Sequence, residues 1–130
     1  MLSGQCFCEN VKVEISDDAL PLKAVICHCN NCAKLASPTG ALTVILSQDQ
    51  LKVTGELAKF TNTKSGSGNP ADVFFCPSCS TVVNIQPAGA PIVILTTNVL
   101  NKSDIPKPFL ESFGANRCAW IEAIPDAIQK

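Results

Sequence analysis

Cys27-His28-Cys29-Asn30-Asn31-Cys32, CHCNNC, packs three cysteines and the chain's only histidine into six positions. Such a stretch is a redox centre, a disulfide corner or a metal-holding turn, and the fold differs with the answer. The residues before it, 22–26 (LKAVI), form an apolar run that reads as a strand. Those after it, AKLASPTG, leave room for at most one or two helical turns before Pro38 and Gly40.

Further out, the same question meets more cysteines. Seven of the eight fall into three close clusters: Cys6-Phe7-Cys8, the central CHCNNC, and Cys76-Pro77-Ser78-Cys79; Cys118 stands alone. A thioredoxin-like C-x-x-C opens a helix after a strand, but CPSC here runs into the strand-like Thr81-Val82-Val83. A disulfide framework suits an oxidising compartment. The N-terminus, MLSGQC, has neither a basic n-region nor an apolar h-region, so a reducing, cytoplasmic setting is expected. Cysteines two or three positions apart suit a metal, because a tight turn aims both sulfurs at one point about 2.3 Å away. A C-x-C with a distant C-x-x-C supplies four thiolates, enough to close a tetrahedral site. Structural metal alone, without chemistry, satisfies the same pattern.

Between the clusters the chain reads as short strands. Val11, Val13 and Ile15 alternate with Lys12 and Glu14. Residues 41–46, 51–53, 57–61, 73–75, 81–85 and 91–96 are β-prone, and residues 62–70 (NTKSGSGNP) read as a surface loop. Residues 119–124 are expected as a last strand and 125–129 as a short helical tail. The expectation is a mainly β fold with little helix, and one domain over residues 1–130.

Composition narrows the function. The chain is 46% hydrophobic, carries a net charge of −1 and has Arg117 as its only arginine. With six Phe, one Trp and no Tyr, it lacks the basic patch and stacking aromatics of a nucleic-acid binder. No run of about 18 apolar residues is present for a membrane span. Neither nucleic acid nor membrane is expected as a partner.

The joint pattern of C-x-C, C-H-C-x-x-C and F-C-x-x-C resembles the glutathione-dependent formaldehyde-activating enzyme family. That family includes centromere protein V relatives and shares its fold with Mss4-like β proteins. GQCFCENVKVE, CHCNNCAK, FFCPSCST and RCAWIEAI carry the resemblance over nearly the whole chain. It implies short antiparallel sheets around a structural zinc held by Cys6, Cys8, Cys76 and Cys79. It also implies a second zinc on Cys27, Cys29 and Cys32, the candidate catalytic residues, with the fourth position open. The implied activity is that of a carbon–sulfur lyase, joining a small thiol such as glutathione to an aldehyde as S-(hydroxymethyl)glutathione synthase does. A non-catalytic zinc-binding interaction module and an accessory biosynthetic enzyme on the same fold are the alternatives.

Smaller features complete the expectations. His28 is expected to turn its ring away from the sulfurs and fix the turn, with proton relay as the sharper role. Asn30 and Asn31 are expected as turn residues tolerating left-handed backbone or as donors to sulfur, Lys34 as solvated, with attraction of a glutathione carboxylate as its sharper role, and Cys118 as a small buried side chain, with a fourth ligand to the second zinc as the alternative. Glu9 and Ser80 stand where the family usually has Gly, so the two knuckle turns are either built differently or strained. Residues 97–102 (TNVLNK) lack the acidic pair the family commonly shows there, which implies a changed pocket.

Overall fold

The computed structural model describes residues 1–64 and 68–130. Of the loop expected over residues 62–70, residues 65–67 lie outside the described residues. The strands are β1 (Leu2–Gln5), β2 (Lys12–Ile15), β3 (Ala24–Cys27), β4 (Ala41–Ser47), β5 (Leu51–Thr54), β6 (Ala58–Asn62), β7 (Ala71–Phe75), β8 (Val82–Pro87), β9 (Ile92–Thr96), β10 (Leu110–Ser112) and β11 (Ile128–Gln129). One α-helix, α1 (Asn30–Leu35), follows β3. The fold is mainly β, as the turn-rich, β-branched sequence requires.

Two sheets form. The smaller has the order β1-β2-β5; the larger runs β11-β10-β3-β4-β9-β8-β7-β6. Pairing is antiparallel except where β10 lies parallel to both β3 and β11. Alternation decides what each strand buries. In β4 and β9, Val44 faces Leu95 and Leu46 faces Val93, and all four are buried on one side of the large sheet. Val13 and Ile15 of β2 pack onto that side with Val11, Val83 and Val99, closing a core between the sheets. Burying aliphatic side chains of this size stabilises by about 1.5–3 kcal/mol each.

The opposite side of the large sheet has a different fate. There β4 presents Ala41, Thr43 and Ile45, β9 presents Ile94 and Thr96, and β3 presents Val25 and Cys27, with α1 beside them. The half of an antiparallel sheet that faces water is normally polar. Here it is apolar, and Ile45 remains 50% exposed.

The C-terminal expectations need correction. Residues 119–124 form no strand, and residues 125–129 end in β11 rather than a helix. The ladder partner of β3 on that side is β10, which the sequence reading missed. No helix among the described residues is long and apolar enough to cross a membrane.

Candidate functional site

Two hairpins build the first cysteine cluster. The loop between β1 and β2 carries Cys6 and Cys8; the loop between β7 and β8 carries Cys76 and Cys79. Each loop folds back on its first cysteine: the Glu9 amide donates to the Cys6 carbonyl at 3.1 Å, and the Ser80 amide to the Cys76 carbonyl at 2.8 Å. Glu9 and Ser80 both adopt left-handed backbone, with φ of 69° and 66°. The turns are thus the ones glycine would make, formed with side chains that resist them.

The four sulfurs lie within 4.8 Å of one another. Cys8 Sγ is 3.7 Å from both Cys6 Sγ and Cys76 Sγ. A tetrahedron with metal–sulfur bonds of about 2.3 Å has edges of about 3.8 Å, so the donor set fits a thiophilic ion. Cys6 and Cys76 are buried. Backbone donors reach the sulfurs, as when the Val11 amide donates to Cys6 Sγ at 3.3 Å. The Thr81 hydroxyl and amide hold the Cys79 thiol down to about 5, against desolvation. The Asn10 amide pulls Cys8 down, but burial and its three sulfur neighbours together push it up to about 12.

The second cluster joins the end of β3 to the start of α1. Cys27 is the last residue of β3, lying opposite Ala41 on β4 and Ser112 on β10. Cys29 is the N-cap of α1, and its sulfur accepts the Cys32 amide at 3.3 Å. Capping therefore sets Cys29 and Cys32 on the same end of the helix. The sulfurs of Cys27, Cys29 and Cys32 lie within 4.8 Å of one another, and all three residues are half-buried. The Cys27 thiol is held down to about 5, first by the Cys32 thiol and then by the Ser112 hydroxyl and Cys29, with burial opposing. Cys32 is pushed up by the neighbouring Cys27, by burial and by Cys29. Each cluster could hold a metal ion.

The clusters differ in what adjoins them. Cys27 and Cys32 form part of the wall of a cavity of about 180 Å³, which continues over the apolar face of the large sheet. The four-sulfur cluster has all its donors facing one another.

His28 is buried and turns away from the sulfurs, as expected. Its Nε2 lies 2.9 Å from Glu111 Oε1 on β10. Glu111 is only 1% exposed, and its other oxygen accepts the Ile124 amide at 2.6 Å and the Gln129 side-chain amide at 2.7 Å. Arg117 lies 3.4 Å from Oε1. Burial alone would raise this carboxyl; the donors from Gln129, His28 and Ile124, with Arg117 beside them, hold it down to about 2. An ionised carboxylate only accepts, so His28 Nε2 carries the proton of that bond. Glu111, Ser112 and Arg117 escaped the sequence reading, because their partners lie far away in the chain.

Other expectations fare differently. Asn30 and Asn31 are helical rather than left-handed, and their side chains meet Asn116 and the Lys64 carbonyl, not sulfur. Lys34 is exposed. Cys118 is half-buried and donates to the Pro38 carbonyl at 3.2 Å, outside both clusters. Residues 97–102 do not line the cavity: Thr97, Val99 and Leu100 are buried instead, and the Thr97 hydroxyl donates to the Leu42 carbonyl at 2.9 Å.

No curated protein matches the chain. Among solved structures, it is similar to a Rhodobacter sphaeroides protein from a structural-genomics programme, with a TM-score of 0.58 and 19% identity. That match covers 82% of this chain and 97% of the other, and it supports the fold alone. Residues 1–116 match the family model described as glutathione-dependent formaldehyde-activating enzyme. With both cysteine clusters assembled on that span, the chain belongs to the glutathione-dependent formaldehyde-activating enzyme family.

Proposed function

We propose that the chain is a zinc-dependent enzyme of carbon–sulfur bonds, adding a thiol to a carbonyl compound or reversing that addition. Cys6, Cys8, Cys76 and Cys79 hold a structural zinc; Cys27, Cys29 and Cys32 hold the working one. The observation that carries this reading is the asymmetry between the clusters: one gathers four sulfurs, enough to close a tetrahedral site, whereas the other gathers three, two of which line a cavity. An interaction module without chemistry needs no cleft at that place.

A zinc ion on three thiolates supplies a soft, weakly Lewis-acidic position that takes a thiol as its thiolate. The chain's own residues do the rest. β3 and α1 fix the three sulfurs, and the His28–Glu111 contact anchors the residue between Cys27 and Cys29 to β10. The Ser112 hydroxyl, in the cavity wall beside Cys27, donates to that sulfur and steadies it as a thiolate. In the addition a carbon–sulfur bond forms, the carbonyl π bond breaks, and the proton given up by the thiol ends on the new hydroxyl.

The test combines metal content, turnover and melting on purified protein. Two zinc ions per chain are expected. Cys29→Ser should lose one ion and thiol–aldehyde turnover while still folding and melting cooperatively, because serine still caps α1. Retention of both ions, or of turnover, by Cys29→Ser refutes the assignment.

A further inference from the structure

The cavity beside the three-cysteine cluster has a composition at odds with a charged peptide thiol. Among the described residues its wall contains no Asp, Glu, Lys, Arg or His. The Thr43 hydroxyl donates to the Val25 carbonyl at 3.3 Å, and the Thr96 hydroxyl to the Val82 carbonyl at 2.6 Å. Their hydrogen-bonding protons are therefore committed to the sheet. The polar chemistry of the wall is concentrated at one end, in Cys27, Cys32 and Ser112. The other end is Ile45, Ile85 and Ile94, which the register places side by side on β4, β8 and β9. Along β4, Ile45 lies four residues beyond Ala41, the partner of Cys27; at strand rise this is about 13 Å.

We propose that this cavity selects an apolar reactant: a thiol or carbonyl compound whose reactive group meets the sulfurs and whose aryl or alkyl group lies toward the isoleucines. The inference rests on the three-cysteine cluster being the reacting centre. A cavity of about 180 Å³ suits a group of benzene size, since an apolar cavity of about 150 Å³ holds benzene. Glutathione brings carboxylates and an ammonium, and this wall offers them no counter-charge. Burying such groups unpaired is unfavourable, whereas burying a phenyl group against isoleucine is favourable in proportion to its area. Lys34 is exposed on α1 and forms no part of the wall.

The experiment uses cobalt(II)-loaded protein, whose sulfur-to-metal absorption changes when a further thiolate binds, titrated with benzyl mercaptan and with glutathione. Benzyl mercaptan is expected to bind about tenfold tighter or better, the scale of burying a small apolar group. Ile45→Glu, at a position exposed enough to tolerate it, should remove most of that advantage, and Ile45→Leu should keep it. Independently of metal, toluene should shift the Cδ1 methyl resonances of Ile45, Ile85 and Ile94. A response to glutathione equal to or stronger than that to benzyl mercaptan overturns the inference while leaving the three-thiolate reading standing. Bound cobalt that responds to neither thiol overturns that reading and this inference with it. Unmoved methyl resonances, or a stable dimer in sedimentation that covers Ile45, also overturn it.

Discussion

At the scale of single residues, the two knuckle turns show what the protein tolerates to bring sulfurs together. Glu9 and Ser80 hold φ of 69° and 66° directly after Cys8 and Cys79. For an L side chain this conformation costs roughly 1–2 kcal/mol. Glycine removes that cost but loses about 0.5–1 kcal/mol in chain entropy. Glu9→Gly and Ser80→Gly should therefore each stabilise by about 0.5–1 kcal/mol in urea unfolding at fixed free zinc, and Glu9→Ala should not. Gly40 is the opposite case. Its φ is 122°, and a Cβ there would lie 2.6 Å from Ile26 Cδ1 and 3.1 Å from His28 Cε1. Gly40→Ala should destabilise by about 2 kcal/mol or more. Because Ile26 and His28 flank Cys27, it should also weaken metal binding at the three-cysteine cluster, read by chelator competition. The knuckle turns were legible in the sequence because their geometry is local; the role of Gly40 was not, since its neighbours come from β3.

At the scale of elements, β10 acts as a strut for the end of β3. Its three residues, Leu110–Ser112, place a buried carboxylate beneath His28 and a hydroxyl beside Cys27. Every group around Glu111 donates, so a glutamine would turn its own amide toward a donor. Glu111→Gln should cost about 2–3 kcal/mol. The pH dependence has a definite sign. The carboxyl is held down to about 2 in the folded chain, below the unfolded value of about 4.3. Its contribution is thus complete above about pH 4.5 and is lost as pH falls toward 2. Subtracting the variant's urea midpoints from those of the native chain between pH 2.5 and 6 should show a difference that shrinks as acid is added; a constant difference refutes it. This element also marks where sequence reading stopped. β2, β4 and β9 announce themselves by alternation and β-branching. Leu-Glu-Ser does not, because the His28 that satisfies its charge lies 83 residues away in the chain. The same non-local pairing draws residues 128–129 into β11, where local composition suggested a helical tail.

At the scale of the whole molecule, the proposed function divides stability from chemistry between the two clusters. The cysteine spacings made both clusters legible, since each half-cluster is one turn. The cavity was not legible, because its wall is assembled from alternate residues of several strands that otherwise read as buried core. The four-sulfur cluster ties the β1–β2 hairpin of one sheet to the β7–β8 hairpin of the other, across 68 residues of chain between Cys8 and Cys76. A metal there binds only the folded arrangement, so its affinity adds to folding free energy. With free zinc a thousandfold above the dissociation constant, the gain is about 4 kcal/mol. For a chain of this length that corresponds to roughly 15 °C in melting temperature. Cys76→Ser should therefore lower the melting temperature by about that amount, whereas Cys29→Ser should lower it less, because a site of three sulfurs holds its ion more weakly than one of four and forfeits less binding free energy; exhaustive chelation should remove both contributions. Calorimetry of the three forms at matched free zinc makes the comparison. Equal losses from Cys76→Ser and Cys29→Ser would mean that both clusters brace the fold. The division argued from four facing sulfurs and three beside a cavity would then fail.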